Sequence, residues 1–208
     1  VLHQNELFKR RALKAYDEYE FHGMYHALLN FCSVDVSSFY VDVLKDRMYT
    51  FAADSPERRS GQTAMAIVLT DLLTLLAPVL VYTCDEAWQH LPEHLRSVDC
   101  VHRASFPAPD DSRLLADADA QRWTGLLGAR DVVNKELEEA RRAKRINSSL
   151  QAAVTIVPGT DAVATLLQSF GEDLVDHFIV SKCDVMPVDP AAKDADAVIR
   201  VTVESAPG

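Results

Sequence analysis

The sequence predicts a mainly α protein: a helical bundle, then a long helix, then a small α+β end. Two observations carry most of this. Glycine and proline are scarce, at 7 and 9 of 208 residues, while apolar residues make up 48 % of the chain and recur at helical spacing as far as Ala140. Only beyond Gln151 do short β-branched runs appear. The division that follows is a bundle over 1–112, a connecting helix over 113–150 and an α+β subdomain over 151–208.

The bundle opens with an amphipathic helix over Asn5 to Tyr19, where Phe8, Ala12, Ala15 and Tyr19 share one face and the charges are mixed. A second stripe, Phe21, Met24, Leu28 and Phe31, leads to Val36, Phe39, Tyr40 and Val43. Ser33, Asp35, Ser37 and Ser38 predict a bend or restart between two helices, the latter ending near Thr50. Ser55-Pro56-Glu57 is a helix start: the serine caps free amides, proline fits the first turn, and the carboxylate suits the positive dipole end. From Ala64 to Leu76 nearly every residue is apolar, which predicts a central helix covered on most sides. Ala77-Pro78 breaks it, and Leu80, Cys84, Ala87, Trp88 and Leu91 predict another helix ending near Pro92.

Glu93 to Asp111 holds prolines, adjacent aspartates and little periodicity, the marks of an irregular crossing segment. The long helix follows over about 117 to 145, with Trp123, Leu126, Ala129, Val133, Leu137 and Ala140 on one stripe and Glu138 within reach of Arg142. Residues 153–157 and 197–203 read as strands, 161–170 as a helix, and Phe178-Ile179-Val180 as a third strand.

Composition narrows the function. A formal net charge of −10 repels polyanions on average, so any nucleic-acid surface must be a local gathering of cations. Cys32, Cys84, Cys100 and Cys183 lie far apart with no Cys-x-x-Cys pair, and read as reduced thiols in a cytosolic protein. No segment approaches the roughly 20 uninterrupted apolar residues of a membrane span. The chain starts at Val1 without Met, in a polar helix, and is expected to be part of a longer polypeptide.

Catalytic and metal constellations are not found. His22 and His26 stand four apart on a helix but lack a third ligand and a His-Glu-x-x-His frame, so packing or surface histidines are the plainer reading. Asp85-Glu86 and Glu138-Glu139 are adjacent on helices, pointing about 100° apart, which suits solvated faces better than acid/base work. Glycine-rich phosphate loops and nucleophile elbows are missing. What remains are basic groups: Lys45 and Arg47 with Tyr49; Arg58 with Arg59; and Lys135, Arg141, Arg142, Lys144 and Arg145 along the end of the long helix. Cations in a last turn suit the helix dipole without any ligand. The same residues, with an exposed tyrosine, also suit phosphates and unpaired bases.

Several words of the sequence resemble the region after the catalytic core in bacterial isoleucyl-tRNA synthetases, a class I family. They are Phe39-Tyr40-Val41-Asp42-Val43-Leu44-Lys45-Asp46-Arg47-Met48-Tyr49-Thr50, Arg58-Arg59-Ser60, Leu76-Ala77-Pro78-Val79-Leu80 and Asp85-Glu86-Ala87-Trp88. Val133-Asn134-Lys135, Glu138, Ala140-Arg141, Lys144 and Ser149 to Val154 continue the likeness in order. Leu-Ala-Pro is shared with valyl, leucyl and methionyl enzymes, whereas the Lys-Asp-Arg-x-Tyr run favours the isoleucyl branch.

The resemblance implies an anticodon-binding bundle that grips the anticodon arm of tRNA(Ile). The expected contacts are Lys45, Arg47, Tyr49, Arg58, Arg59, Lys135, Arg141, Arg142 and Lys144, with the ion pairs open to Asp46-Arg47 and Arg58-Arg59 as their structural alternative. The family's His-Ile-Gly-His and Lys-Met-Ser-Lys-Ser signatures are absent, so these residues are not expected to form isoleucyl adenylate. ATP and Mg would belong to the catalytic domain of the same polypeptide, which is the second expected partner. No cofactor or metal is expected in this part, nor a membrane, and the resemblance implies a cytoplasmic monomer. The rival readings are a docking module that never meets RNA, and the equivalent region of a valyl or leucyl enzyme.

Overall fold

The computed structural model describes residues 1–188 and 199–206. The chain forms two compact units, Val1–Leu114 and Leu115–Gly208.

The first unit is helical. Helix α1 spans Leu2–Asp17, α2 Phe21–Asn30, α3 Asp42–Thr50, α4 Pro56–Leu76 and α5 Val81–Gln89. Phe8, Ala12 and Ala15 of α1 face Met24, Phe31, Leu75 and Trp88 in one core, with the Phe8 and Phe31 rings stacked at 5.1 Å. Trp88 is fully buried, and its indole N–H donates to the Val98 carbonyl at 2.9 Å, which seats the irregular segment beyond Pro92 against α5. Ser55 does cap α4: its hydroxyl accepts from the Arg58 amide, and Pro56 occupies the first turn.

Two expectations for this unit need correction. No bend separates α2 from α3; Phe31–Val41 winds as a π-helix that joins them into one helical run. The serines bond back to the preceding turn, Ser33 Oγ to the Leu29 carbonyl and Ser38 Oγ to the Val34 carbonyl, so they lie within the helix instead of ending it. The joined run Phe21–Thr50 is the one helix among the described residues that is long and apolar enough to cross a membrane by length and composition, although its apolar sequence is interrupted by Asp35 and Asp42. Helix α4 is most closely covered over its last turn, Leu73 to Leu76, whereas Met65 and Leu69 are exposed.

A buried polar network closes the unit. Lys9 Nζ lies 2.8 Å from Glu6 and 3.3 Å from Asp71 of α4, and donates to the Ala108 carbonyl at 3.2 Å. Asn5 donates to Asp71 at 2.7 Å, and the Asp110 amide donates to Glu6 at 2.9 Å. Arg10 bridges Glu6 and Asp111, while Arg113 reaches Asp110 and Asp71. The irregular segment is thereby tied to α1 and α4 by charge-assisted bonds, where it has few apolar side chains to hold it.

The second unit is built on α6, Asp117–Arg142, with strands β1 Ala152–Pro158, β2 Lys182–Val185 and β3 Ile199–Ser205 and helices α7 Asp161–Gln168 and α8 Asp173–Phe178. The strand order is β2-β1-β3, with β1 parallel to β2 and antiparallel to β3. Leu126, Ala129, Val133, Leu137 and Ala140 of α6 share one core with Val154, Ile156 and Val203, so the long helix and the α+β segment are one packed body.

The strand expected at Phe178-Ile179-Val180 does not form. Phe178 ends α8, Ile179 takes a left-handed φ of 56°, and the strand begins at Lys182. Phe178 and Val180 are nonetheless buried, so their apolar alternation records core anchoring around a turn. Positions 197 and 198 of the other expected strand lie outside the described residues.

Candidate nucleic-acid interface

In the first unit the candidate residues lie on the two helices that flank the α3–α4 corner. Lys45, Arg47 and Tyr49 ride on α3, Arg58 and Arg59 on the first turn of α4. The corner is held close because Gly61 lacks a side chain: a Cβ there would come within 2.6 Å of a Leu44 methyl. Tyr40 adds a hydrogen bond from its hydroxyl to the Gly61 carbonyl at 3.1 Å. Burial raises the Tyr40 phenol above its ordinary pKa, against the opposing effect of nearby Arg47, so it remains a neutral donor.

These residues are spent differently. Arg58 donates to the Phe51 carbonyl at 2.9 Å and closes the α3–α4 turn, which makes its role structural at least in part. Lys45 pairs with Asp42 at 2.8 Å, and that hydrogen bond raises its ammonium further above the ordinary lysine value. The pair is exposed, so water and ligands compete with it readily. Asp46 accepts a hydrogen bond from the Thr50 hydroxyl. Arg59 is exposed, and Tyr49 stands 85 % exposed.

In the second unit Lys135, Arg141, Arg142 and Lys144 lie along and just beyond the end of α6. The expected pair of Glu138 with Arg142 is not made. Glu138 pairs with Arg141, three residues on, and Arg141 also donates to the Ser149 hydroxyl at 2.7 Å. Arg145 donates to the Val203 carbonyl at 2.8 Å and fastens the helix end to β3. Lys135, Arg142 and Lys144 remain exposed.

Lys144 sits in an unusual place. It occupies the left-handed position after the helix, φ 57°, where the Arg145 amide turns back to the Ala140 carbonyl and the Lys144 amide to that of Arg141. Glycine is the usual occupant of this closing turn, since a Cβ is strained there. The position of Ser149, as a holder of Arg141, escaped sequence reasoning; its only trace was a serine seven residues past the helix end.

All four cysteines are free thiols, and His22 and His26 are exposed on α2. Among the described residues no group of three His, Cys, Asp or Glu side chains is arranged to hold a metal ion.

The helical bundle is that of a tRNA-ligase domain class: residues 1–156 match the family model of the anticodon-binding domain of tRNA ligases, and the chain belongs to that family. Over its full length the chain is 43 % identical to an isoleucine–tRNA ligase of Geobacter sulfurreducens, of which it covers 22 %. It is 40 % identical over 95 % of its length to the ligase of that name from Nitratidesulfovibrio vulgaris, again covering 22 % of the relative. With the Paraburkholderia phytofirmans ligase the identity is 45 % over 90 % of the chain, which covers 19 % of that protein. The chain thus spans about a fifth of the length of the relatives it matches.

Proposed function

We propose that this chain is the part of an isoleucine–tRNA ligase that grips the anticodon arm of tRNA(Ile), so that the tRNA is placed for ATP-dependent aminoacylation by the catalytic domain of the same polypeptide. The observation that carries the reading is the set of exposed cations that make no ion pair among the described residues, Arg59, Lys135, Arg142 and Lys144, mounted on or beside helices with packed cores. Such groups exchange water and counterions for phosphates at little cost to the fold. Lys45 and Arg47 add positive charge on α3 and Arg141 on α6, Arg58 steadies the corner, and Tyr49 offers an exposed ring to an unstacked base.

Binding at the anticodon arm restricts where the acceptor end can travel, and this converts contact energy at one place into positioning at another. ATP and its magnesium are handled by the catalytic domain in this reading. The whole enzyme is read as a cytoplasmic monomer, in keeping with four cysteines that are all free thiols.

The test is a salt series of tRNA(Ile) binding to the 208-residue chain. Four phosphate contacts predict a slope of log affinity against log salt of about −3, at about −0.7 per contact. No binding at low salt removes the grip. So does an unchanged slope in a chain carrying Arg59→Gln, Lys135→Gln, Arg142→Gln and Lys144→Gln.

A further inference from the structure

A second aromatic site lies at the turn between α1 and α2, and its electrostatics are opposite to those of Tyr49. Tyr19 is 80 % exposed, Phe21 50 % and Phe106 42 %. The rings are contiguous. Tyr19 meets Phe21 edge-on at 6.2 Å, Phe21 meets Tyr16 at 6.0 Å, and Tyr16 stacks on Phe106 at 5.1 Å. The Tyr16 hydroxyl donates to the Leu75 carbonyl at 2.6 Å, so the middle ring of the cluster is anchored to the core while its neighbours face water. Along α2 the exposed surface continues through Tyr25 and Leu29, four and eight residues after Phe21.

This surface is built, and it is costly to leave bare. Tyr19 holds a left-handed φ of 58°, a conformation strained for a tyrosine, and the Glu20 amide closes the turn onto the Ala15 carbonyl. Contiguous exposed rings of this kind mark a contact surface.

The rim decides what the surface contacts. Asp17, Glu18 and Glu20 are all exposed around Tyr19, and the cation nearest in sequence, Lys14, is already facing Glu18 at 3.8 Å. Stacked bases bring phosphates with them, and three carboxylates repel those phosphates. A protein surface with an apolar centre and a Lys/Arg rim has the complementary character. The relatives carry roughly four-fifths of their length outside the matched part, since the chain covers 22 % of them. We infer that the Tyr16–Tyr19–Phe21–Phe106 cluster and its acidic rim dock onto a basic-rimmed apolar surface carried by the portion of the ligase polypeptide outside this chain. This rests on the chain being one part of a ligase, and it is independent of whether the cations described above hold RNA.

Hydroxyl-radical footprinting, done without tRNA, compares the 208-residue chain with the full-length ligase. In the full-length protein Tyr19, Phe21 and Phe106 should label about fivefold more slowly, as rings at an interface centre lose most of their water contact. Asp17→Lys with Glu20→Lys, two exposed substitutions away from the core, should restore much of that labelling. Equal labelling in the two proteins overturns the inference. Protection that appears only on adding tRNA assigns the surface to RNA instead, and protection in the short chain that grows with concentration assigns it to a second copy; either result overturns it. Because tRNA is absent from the first comparison, its failure says nothing against the RNA grip.

Discussion

Lys9 and Asp71 meet inside the first unit, the ammonium 3.3 Å from a carboxylate oxygen, and join α1 to α4 at a place almost closed to water. The same ammonium serves Glu6 and the Ala108 carbonyl. Lys9→Met takes from Glu6 and Asp71 the buried cation they share and leaves them only the less buried Arg10 and Arg113, a loss of about 3 to 5 kcal/mol. Urea denaturation of this variant should show that drop, while Lys14→Met on the exposed face of the same helix should change stability by less than about 0.5 kcal/mol. Equal effects at the two lysines would contradict the network as described.

The network also makes the first unit acid-sensitive. Burial pushes the Glu6 carboxyl up, but hydrogen bonds from Lys9, the Asp110 amide and Arg10 together outweigh it and hold the group below its ordinary 4.5. Asp110 is lowered as well, chiefly by the Ser112 hydroxyl. A depressed carboxyl contributes stability that is fully present above the unfolded value and is lost as pH falls through the folded one. The urea midpoint should therefore decline below about pH 4.5, and Glu6→Gln should flatten that decline. An unchanged pH dependence in the variant would mean other carboxylates are responsible.

Lys144 carries strain that glycine would relieve. Lys144→Gly is expected to raise stability by about 1 kcal/mol, because the left-handed conformation costs a residue with a Cβ and glycine nothing. The same change should weaken tRNA binding and reduce the salt slope by about 0.7. Stability and affinity moving in opposite directions is the signature to look for; movement in the same direction would count against a phosphate contact at this position.

Tyr49 touches little of the fold, so its loss should be felt by the ligand alone. Tyr49→Ala is predicted to weaken tRNA(Ile) binding by about 1 to 3 kcal/mol, and Tyr49→Phe to keep most of the affinity, since the ring face does the stacking. Thermal denaturation should place both variants near the parent chain.

Cys183 should be slow to react. Burial, reinforced by Asp184, pushes its thiol up to about 11. The thiolate is the reactive form. Alkylation at pH 8 should be much slower at Cys183 in the folded chain than in urea, and should quicken steadily as pH rises toward 11. Fast labelling at pH 8 would show that the strand pair β1–β2 opens in solution.

Periodicity made much of this fold legible. The stripe from Leu126 to Ala140 is the buried face of α6, and Ser55-Pro56 starts α4 as its chemistry requires. The serines from Ser33 to Ser38 misled because a hydroxyl can end a helix or bond back within it, and the local sequence is the same in both cases. Phe178 and Val180 alternate like a strand although they flank a left-handed turn. In the candidate interface, positive charge was visible but not how it is spent. Arg58 and Arg59 are neighbours, as are Arg141 and Arg142, and only packing distinguishes the one that ties the fold from the one facing solvent. The Lys9–Asp71 contact spans distant parts of the chain, where local pattern carries no information.

The π-wound stretch Phe31–Val41 has an angular consequence. Its wider turns hold more residues per revolution than α-winding, so the direction in which Lys45 and Tyr49 point is set by the residue count upstream. Deleting one residue there swings everything beyond by somewhat less than the roughly 100° that one residue turns in an α-helix. A shortened variant would keep its helices and lose its aim, which makes chain length in this stretch a determinant of recognition separate from the identity of any side chain.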